Sequence, residues 1–195
     1  IADGRSQGDI RQGVTLEIFG EGSSMGPLTD EMKKRMVEEQ GDIKYDITWT
    51  TLGEFLDHLV ARGVSPNVAS MVGATTVRIH ELGFVDREPT AEEFERMREL
   101  VTYAHSKGVG LGGYSLLASR SVGPQHDVVN PATGRPGGFA TFGESPCLAS
   151  QWGEAYFGKL RRFIEATGMA VLEHDGSYPG DACASTNHPG HAGLA

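Results

Sequence analysis

"SQWGEAYFGKLRRFIEATGMAVLEHD", residues 150–175, decides how the chain is read. Residues 150–168 read as a helix whose stripe is Trp152, Tyr156, Leu160, Phe163 and Ile164 at helical spacing. "MAVLEHD" (169–175) follows at once as a short apolar strand that ends in Glu173, His174 and Asp175. A helix running straight into a strand is the repeating step of an alternating α/β chain.

The same step recurs upstream. "GVTLEIF" (13–19) is a β-branched strand that enters the glycine-rich turn "GEGSSMG". "PLTDEMKKRMVEEQG" (27–41) has acidic residues early and basic ones later, which suits a helix dipole. "TLGEFLDHLVARG" (51–63) places Leu52, Phe55, Leu56, Leu59 and Val60 on one helical face, with His58 opposite as a surface residue. "NVASMVG" (67–73) is the second strand. "PTAEEFERMRELVTYAHSKG" (89–108) is a helix with a Thr90/Glu93 capping box and a stripe of Phe94, Met97, Leu100, Val101 and Ala104. "VGLGGYS" (109–115) is the third strand, and residues 116–148 are rich in loop signals.

Alternation of this kind implies parallel strands joined by helical crossovers. Strands 14–19, 67–73, 109–115 and 169–175 are expected to lie parallel in one sheet. Four strands are about half of an eight-stranded barrel, which takes about 250 residues. The expected fold class is α/β, of parallel (β/α)-barrel type and incomplete, about half a TIM barrel, in a single domain over 1–195. A small open α/β sheet is the alternative. Half a barrel leaves open edges and an uncovered apolar face, so self-association is expected.

Composition bounds the partners. A net charge of −9 repels phosphate, which argues against nucleic acid or an anionic membrane as the main partner. Apolar residues are 38% and charged residues 22%, as in a water-soluble chain, and no stretch approaches the length of a membrane span. The cysteines Cys147 and Cys183 make no disulfide framework, which fits a cytoplasmic setting. The chain begins at Ile1 rather than Met and closes on "HPGHAGLA", which reads as a fragment of something longer.

"EHDGSYPGD" (173–181) is the first candidate site. Side chains alternate along a strand, so Glu173 and Asp175 share one face and His174 takes the other. At the C-terminal mouth of a parallel barrel such carboxylates do chemistry, and retaining glycosidases use a carboxylate pair about 5–5.5 Å apart. Asp175 is the candidate nucleophile and Glu173 a second candidate on the same face; the two point alike, so the partner acid is expected on a strand this chain lacks, and the competing reading makes Asp175 a turn cap. If they form a site, the strand ends near Gly20–Glu21, Gly73–Ala74 and Tyr114–Ser115 should open on the same side. "HPGH" (188–191), with His174, Asp181 and Cys183 near it in sequence, holds metal-competent residues, but its spacing matches no fixed pattern and an exposed loop explains it. Pro189 and Gly190 exclude helical ligand spacing. "GEGSSMG" lacks both phosphate-loop spacings, and "GGYSL" is not a nucleophile elbow. Trp152 and Tyr156 read as helix core. Arg78 and His80 follow the second strand and are candidates to face the mouth.

Two resemblances add to this. "IADGRSQGDIRQGVTLEIFGEGSSMGPLTDEM", "DITWTTLGEFLDHLVARGVSPNVASMVGATTVR" and "DREPTAEEFERMRELV" resemble the N-acyl-D-amino-acid deacylases, the D-aminoacylases of the amidohydrolase superfamily. The resemblance implies a metal-dependent (β/α)8 barrel that hydrolyses N-acyl-D-amino acids with metal-activated water. The family's His-x-His pair would lie upstream of Ile1, and its later ligand histidines and catalytic aspartate downstream of the matching region. Many members carry a ligand cysteine in the turn after the second strand. Here that turn is "GEGSS", so Glu21 is the candidate zinc ligand. From about residue 102, "AHSKGVGLGGYSLLASR" and "FGESPCLASQWGEAYFGKLRRFIEATGMAVLEHDGSYPGDACASTNHPGH" are similar to bacterial α-galactosidase-like glycoside hydrolases, which implies a strand-end carboxylate nucleophile at Asp175. The change of resemblance near 100–104 suggests a chimera. The expected function is a hydrolase acting on a small-molecule substrate, an N-acyl-D-amino acid or alternatively a glycoside. A further alternative is a hybrid fragment without activity.

Overall fold

The computed structural model describes residues 3–116, 120–137, 143–175 and 181–191, without the side chain of Asp175. The elements in chain order are α1 (Gln7–Arg11), β1 (Leu16–Phe19), α2 (Asp30–Glu38), α3 (Leu52–Arg62), β2 (Asn67–Ser70), β3 (Val72–Gly73), α4 (Ala74–Leu82), α5 (Ala91–Ser106), β4 (Leu111–Leu116), α6 (Gln151–Thr167) and β5 (Val171–Asp175). They fall into two compact units. Residues 1–113 with 169–172 make the first, and 114–168 with 173–195 make the second.

Local chemistry sets the helix ends in the first unit. Thr51 caps α3 and Thr90 caps α5, each completing a capping box with Glu54 or Glu93. Thr29 caps α2 through the Met32 N–H. The helix α4 was not expected. It starts directly on Gly73 with no side-chain cap and closes at Gly83, so the usual start signals are missing. Arg78 and His80 therefore lie on a helix, not at a strand mouth. The Arg78 guanidinium donates to the carbonyls of Val85 (3.0 Å) and Arg87 (2.7 Å), which fastens the loop after α4. His80 pairs with Glu81 at 2.9 Å, and Arg96 on α5 reaches the same carboxylate at 2.6 Å.

Parallel pairing holds for β1 with β2 and for β3 with β4. The expected second strand, 67–73, divides at Met71. Met71 N–H donates to Phe19 O on the β1 side, and Val72 N–H donates to Gly110 O on the β4 side. Backbone groups of successive strand residues point to opposite neighbours, so this strand lies between β1 and β4. The ladders are consequently two, β1-β2 and β3-β4-β5, in place of one. Neighbour order follows sequence order without reversal.

The core of the first unit is built on Trp49, Leu52, Phe55, Leu59, Val72, Val77 and Leu111. Each fully buried Leu or Phe contributes about 1.5–3 kcal/mol. His58 is half-buried with its ring 4.9 Å from Trp49, and it is Val60 that faces solvent, 77% exposed. The α3 stripe is therefore narrower than its sequence spacing suggests. Phe94 is also exposed, while Met97, Leu100 and Val101 of α5 pack on the core.

In the second unit, α6 is capped by Ser150 and ended by Gly168 in the left-handed conformation. Its described apolar core is small: Val128, Cys147 and Cys183, with Val129 and Ala149 against them.

Candidate functional site

In the first unit, the turn after β1 rests on the end of β3 and the start of β4. Gly73 and Gly112 are register partners. A Cβ on Gly73 would sit 2.4 Å from Gly22 O, and one on Gly112 would sit 2.5 Å from Gly20 O and 2.6 Å from Glu21 Cα. Only glycine admits the turn at that distance. Ser24 fixes it from the other side. Its N–H donates to Thr76 Oγ1 (2.8 Å), and its hydroxyl accepts from Gly73 N–H (3.1 Å). The turn after β1 thus lies against the edge made by the end of β3 and the start of β4.

Glu21 is half-buried in this turn. Among the described residues, no group of three or more His, Cys, Asp or Glu ligand atoms forms around it. The metal centre implied by the deacylase resemblance does not fit there, because one carboxylate is not a ligand set.

Asp175 is the last residue of β5, and the turn it would begin (176–180) lies outside the described residues. Glu173 is exposed and His174 half-buried. Ser115 is buried and hydrogen-bonds to the Tyr156 hydroxyl. Trp152 and Tyr156 stack with centroids 4.9 Å apart, and the Arg120 guanidinium lies 5.2 Å from the Trp152 ring. The aromatic pair is held by its own helix and a cation.

The second unit assembles something else. Cys147, Cys183, His188 and His191 each bring a ligand atom to one point, all within 4.8 Å of one another. Cys147 Sγ lies 3.4 Å from His191 Nε2, Cys183 Sγ 3.6 Å from His188 Nδ1, and the two histidine nitrogens 3.3 Å apart. Cys183 is 1% exposed and His188 4%.

Three segments meet there, and backbone bonds hold each in place. Cys147 N–H donates to His126 O at 2.8 Å, and Val128 N–H to Ser145 O at 2.9 Å. Ala184 N–H donates to Val129 O at 2.8 Å, which carries Cys183 inward. Gly190 N–H donates to Ala149 O at 2.9 Å, which folds the "HPGH" turn back over Cys147. Val129 N–H points at Cys183 Sγ (3.3 Å). Buried Asp127 accepts from Ser121 Oγ, Val122 N–H and Gly123 N–H, which orders the loop behind it.

Electrostatics follow from burial. Desolvation pushes the Cys147 thiol up, while the N–H groups of Ala149 and Ser150 favour its thiolate. Desolvation, reinforced by His191, pushes His188 down and so favours its neutral ring. His188 Nε2 is buried with no hydrogen-bond partner at good geometry, although the Gln125 carbonyl lies where it favours a proton on the ring. A proton on Nε2 leaves the Nδ1 lone pair facing Cys183 and His191.

His188, His191 and Cys183 were visible in the sequence as metal-competent. Cys147 was not, since 35 residues of loop and helix α6 separate it from any partner. Asp181, grouped with them by sequence, instead accepts from Ser145 Oγ at 2.6 Å.

No protein-family model matches the chain. It is 29% identical over 140 residues to a D-aminoacylase from Alcaligenes xylosoxydans xylosoxydans, a match covering 68% of this chain and 28% of that protein. The chain therefore spans under a third of the length of this relative. A match of that extent includes the middle of the chain, so it runs through residues 100–104. Among solved structures, an α-N-acetylgalactosaminidase, NagBb from Bifidobacterium bifidum, aligns in its ligand-free form with a TM-score of 0.45 at 17% identity, over 93% of this chain and 31% of that one. A quadruple mutant of the same enzyme gives 0.44. No helix among the described residues is long and apolar enough to cross a membrane.

Proposed function

We propose that these residues are a hydrolase-derived segment, related to the metal-dependent deacylases of N-acyl-D-amino acids, and that the segment alone does not turn over substrate. The observation that carries the lineage is the match to D-aminoacylase. Parallel strands whose neighbour order follows the sequence support an arc of a (β/α) barrel. Silence follows from the site. Among the described residues no group of three or more ligands gathers at Glu21, which supports that silence. The same match runs on past residues 100–104, so it lends no support to a change of lineage there.

A second reading rests on Asp175, which ends β5 as a glycosidase nucleophile would. Glu173, one pleat back, would accompany it. The two readings separate in one assay of the purified chain, with and without zinc, on N-acyl-D-amino acids and on an aryl α-galactoside. The expected result is no turnover of either. Zinc-dependent release of a free D-amino acid would overturn the silence and keep the lineage. Metal-independent cleavage of the galactoside, lost in Asp175→Asn, would replace the lineage with the second reading.

A further inference from the structure

We propose that Cys147, Cys183, His188 and His191 form a closed tetrahedral site for zinc, or a chemically similar divalent ion, and that this ion holds the second unit together.

The distances match what such an ion requires. Zinc sits about 2.3 Å from thiolate sulfur and about 2.0–2.1 Å from imidazole nitrogen. A regular tetrahedron on those radii has edges of about 3.5 Å between S and N and about 3.3 Å between two N. The corresponding separations are 3.4, 3.6 and 3.3 Å. Two sulfurs and two imidazoles are the donor set that selects zinc over magnesium or calcium, which prefer oxygen. Two thiolates also cancel the charge of the ion, so the buried centre is neutral.

Hydrogen bonding alone does not account for the cluster. A thiol is a weak donor. Burying two thiols and the His188 imidazole, with His191 half-buried beside them, costs free energy unless strong partners repay it. His188 is 4% exposed and turns Nδ1 into the cluster. Val129 N–H is aimed at Cys183 Sγ, and such N–H groups stabilise a metal-bound thiolate.

The ion has structural work available. The described apolar core of the second unit is three buried residues, two of which are the cysteines themselves. A core that small does not fix long loops unaided, and small units of this kind use a metal or disulfides. The four ligands come from the loop before α6 and from residues 183–191, so one ion ties segments far apart in sequence. All four positions are filled by protein, so the site offers no place for a substrate. Its occupancy is independent of any hydrolase activity.

The test uses the full chain, reduced, stripped with a chelator and titrated with Co(II) as a spectroscopic stand-in for zinc. Saturation at about one ion per chain is expected, with the intense visible bands of a tetrahedral ion, sulfur-to-cobalt charge transfer in the near ultraviolet, and displacement by zinc. Cys183→Ser should weaken binding by more than about 100-fold, and His105→Ala, on α5, should leave it unchanged. A second readout needs no variant: zinc should protect Cys147 and Cys183 from alkylation together, and a chelator should expose both. Weak octahedral-type bands without charge transfer, unchanged binding in Cys183→Ser, or equal alkylation with and without zinc would each overturn the proposal.

Discussion

Gly190 touches Ala149 so closely that no side chain fits between them. Its N–H donates to Ala149 O at 2.9 Å, and a Cβ on Gly190 would lie 2.7 Å from both the Cβ and the O of Ala149. This contact joins the turn that carries His188 and His191 to the one that carries Cys147.

Gly190→Val should therefore separate the two halves of the cluster. Forcing the backbone apart costs about 1–3 kcal/mol. Co(II) affinity is expected to fall while the helix content of the chain, followed by circular dichroism, stays near its original value. Unchanged affinity would mean that the contact does not position the ligands.

Gly112→Ala tests the strand edge of the first unit. The added methyl would meet Gly20 O and Glu21 Cα well inside contact distance. A loss of about 1–3 kcal/mol is expected in chemical denaturation. Gly41→Ala, where a Cβ meets nothing within 4 Å, is the matched control and should cost far less.

The capping box of α5 predicts a pH dependence. Arg87, then the Thr90 N–H, hold the Glu93 carboxyl at about 2, below its ordinary 4.5. A depressed carboxylate stabilises the folded state above its unfolded value, and that contribution is lost as pH falls from about 4.5 towards 2. Glu93→Gln should thus be less stable than the parent at pH 7, with the gap closing over that acid range. Denaturation midpoints at a series of pH values measure it; a gap of constant size would contradict the assignment. Thr90→Ala should cost about 1 kcal/mol.

These residues also show what the sequence made legible. The capping box at Thr90 and the helix ends at Gly63 and Gly168 are local chemistry, and they lie where the sequence indicates, whereas the box at Thr51 was not read from it. Parallel pairing was legible from alternation. The break at Met71 was not, because it depends on which neighbour each N–H faces. Helix α4 lacks a capping side chain, so nothing local announces it. Val60 fits a helical stripe and is still exposed, since tertiary packing decides which edge of a stripe is covered. The cluster was half legible: His188 and His191 stand in one short motif, but Cys147 reaches them only through the backbone bonds of residues 126–149 and 184–190.

Zinc K-edge X-ray absorption on the reduced, zinc-loaded chain tests the central claim most directly. Two sulfur scatterers at about 2.3 Å and two nitrogen scatterers at about 2.0–2.1 Å, with the outer-shell pattern of imidazole, are the predicted result. A shell of oxygen alone, without sulfur, would contradict a centre built on Cys147, Cys183, His188 and His191.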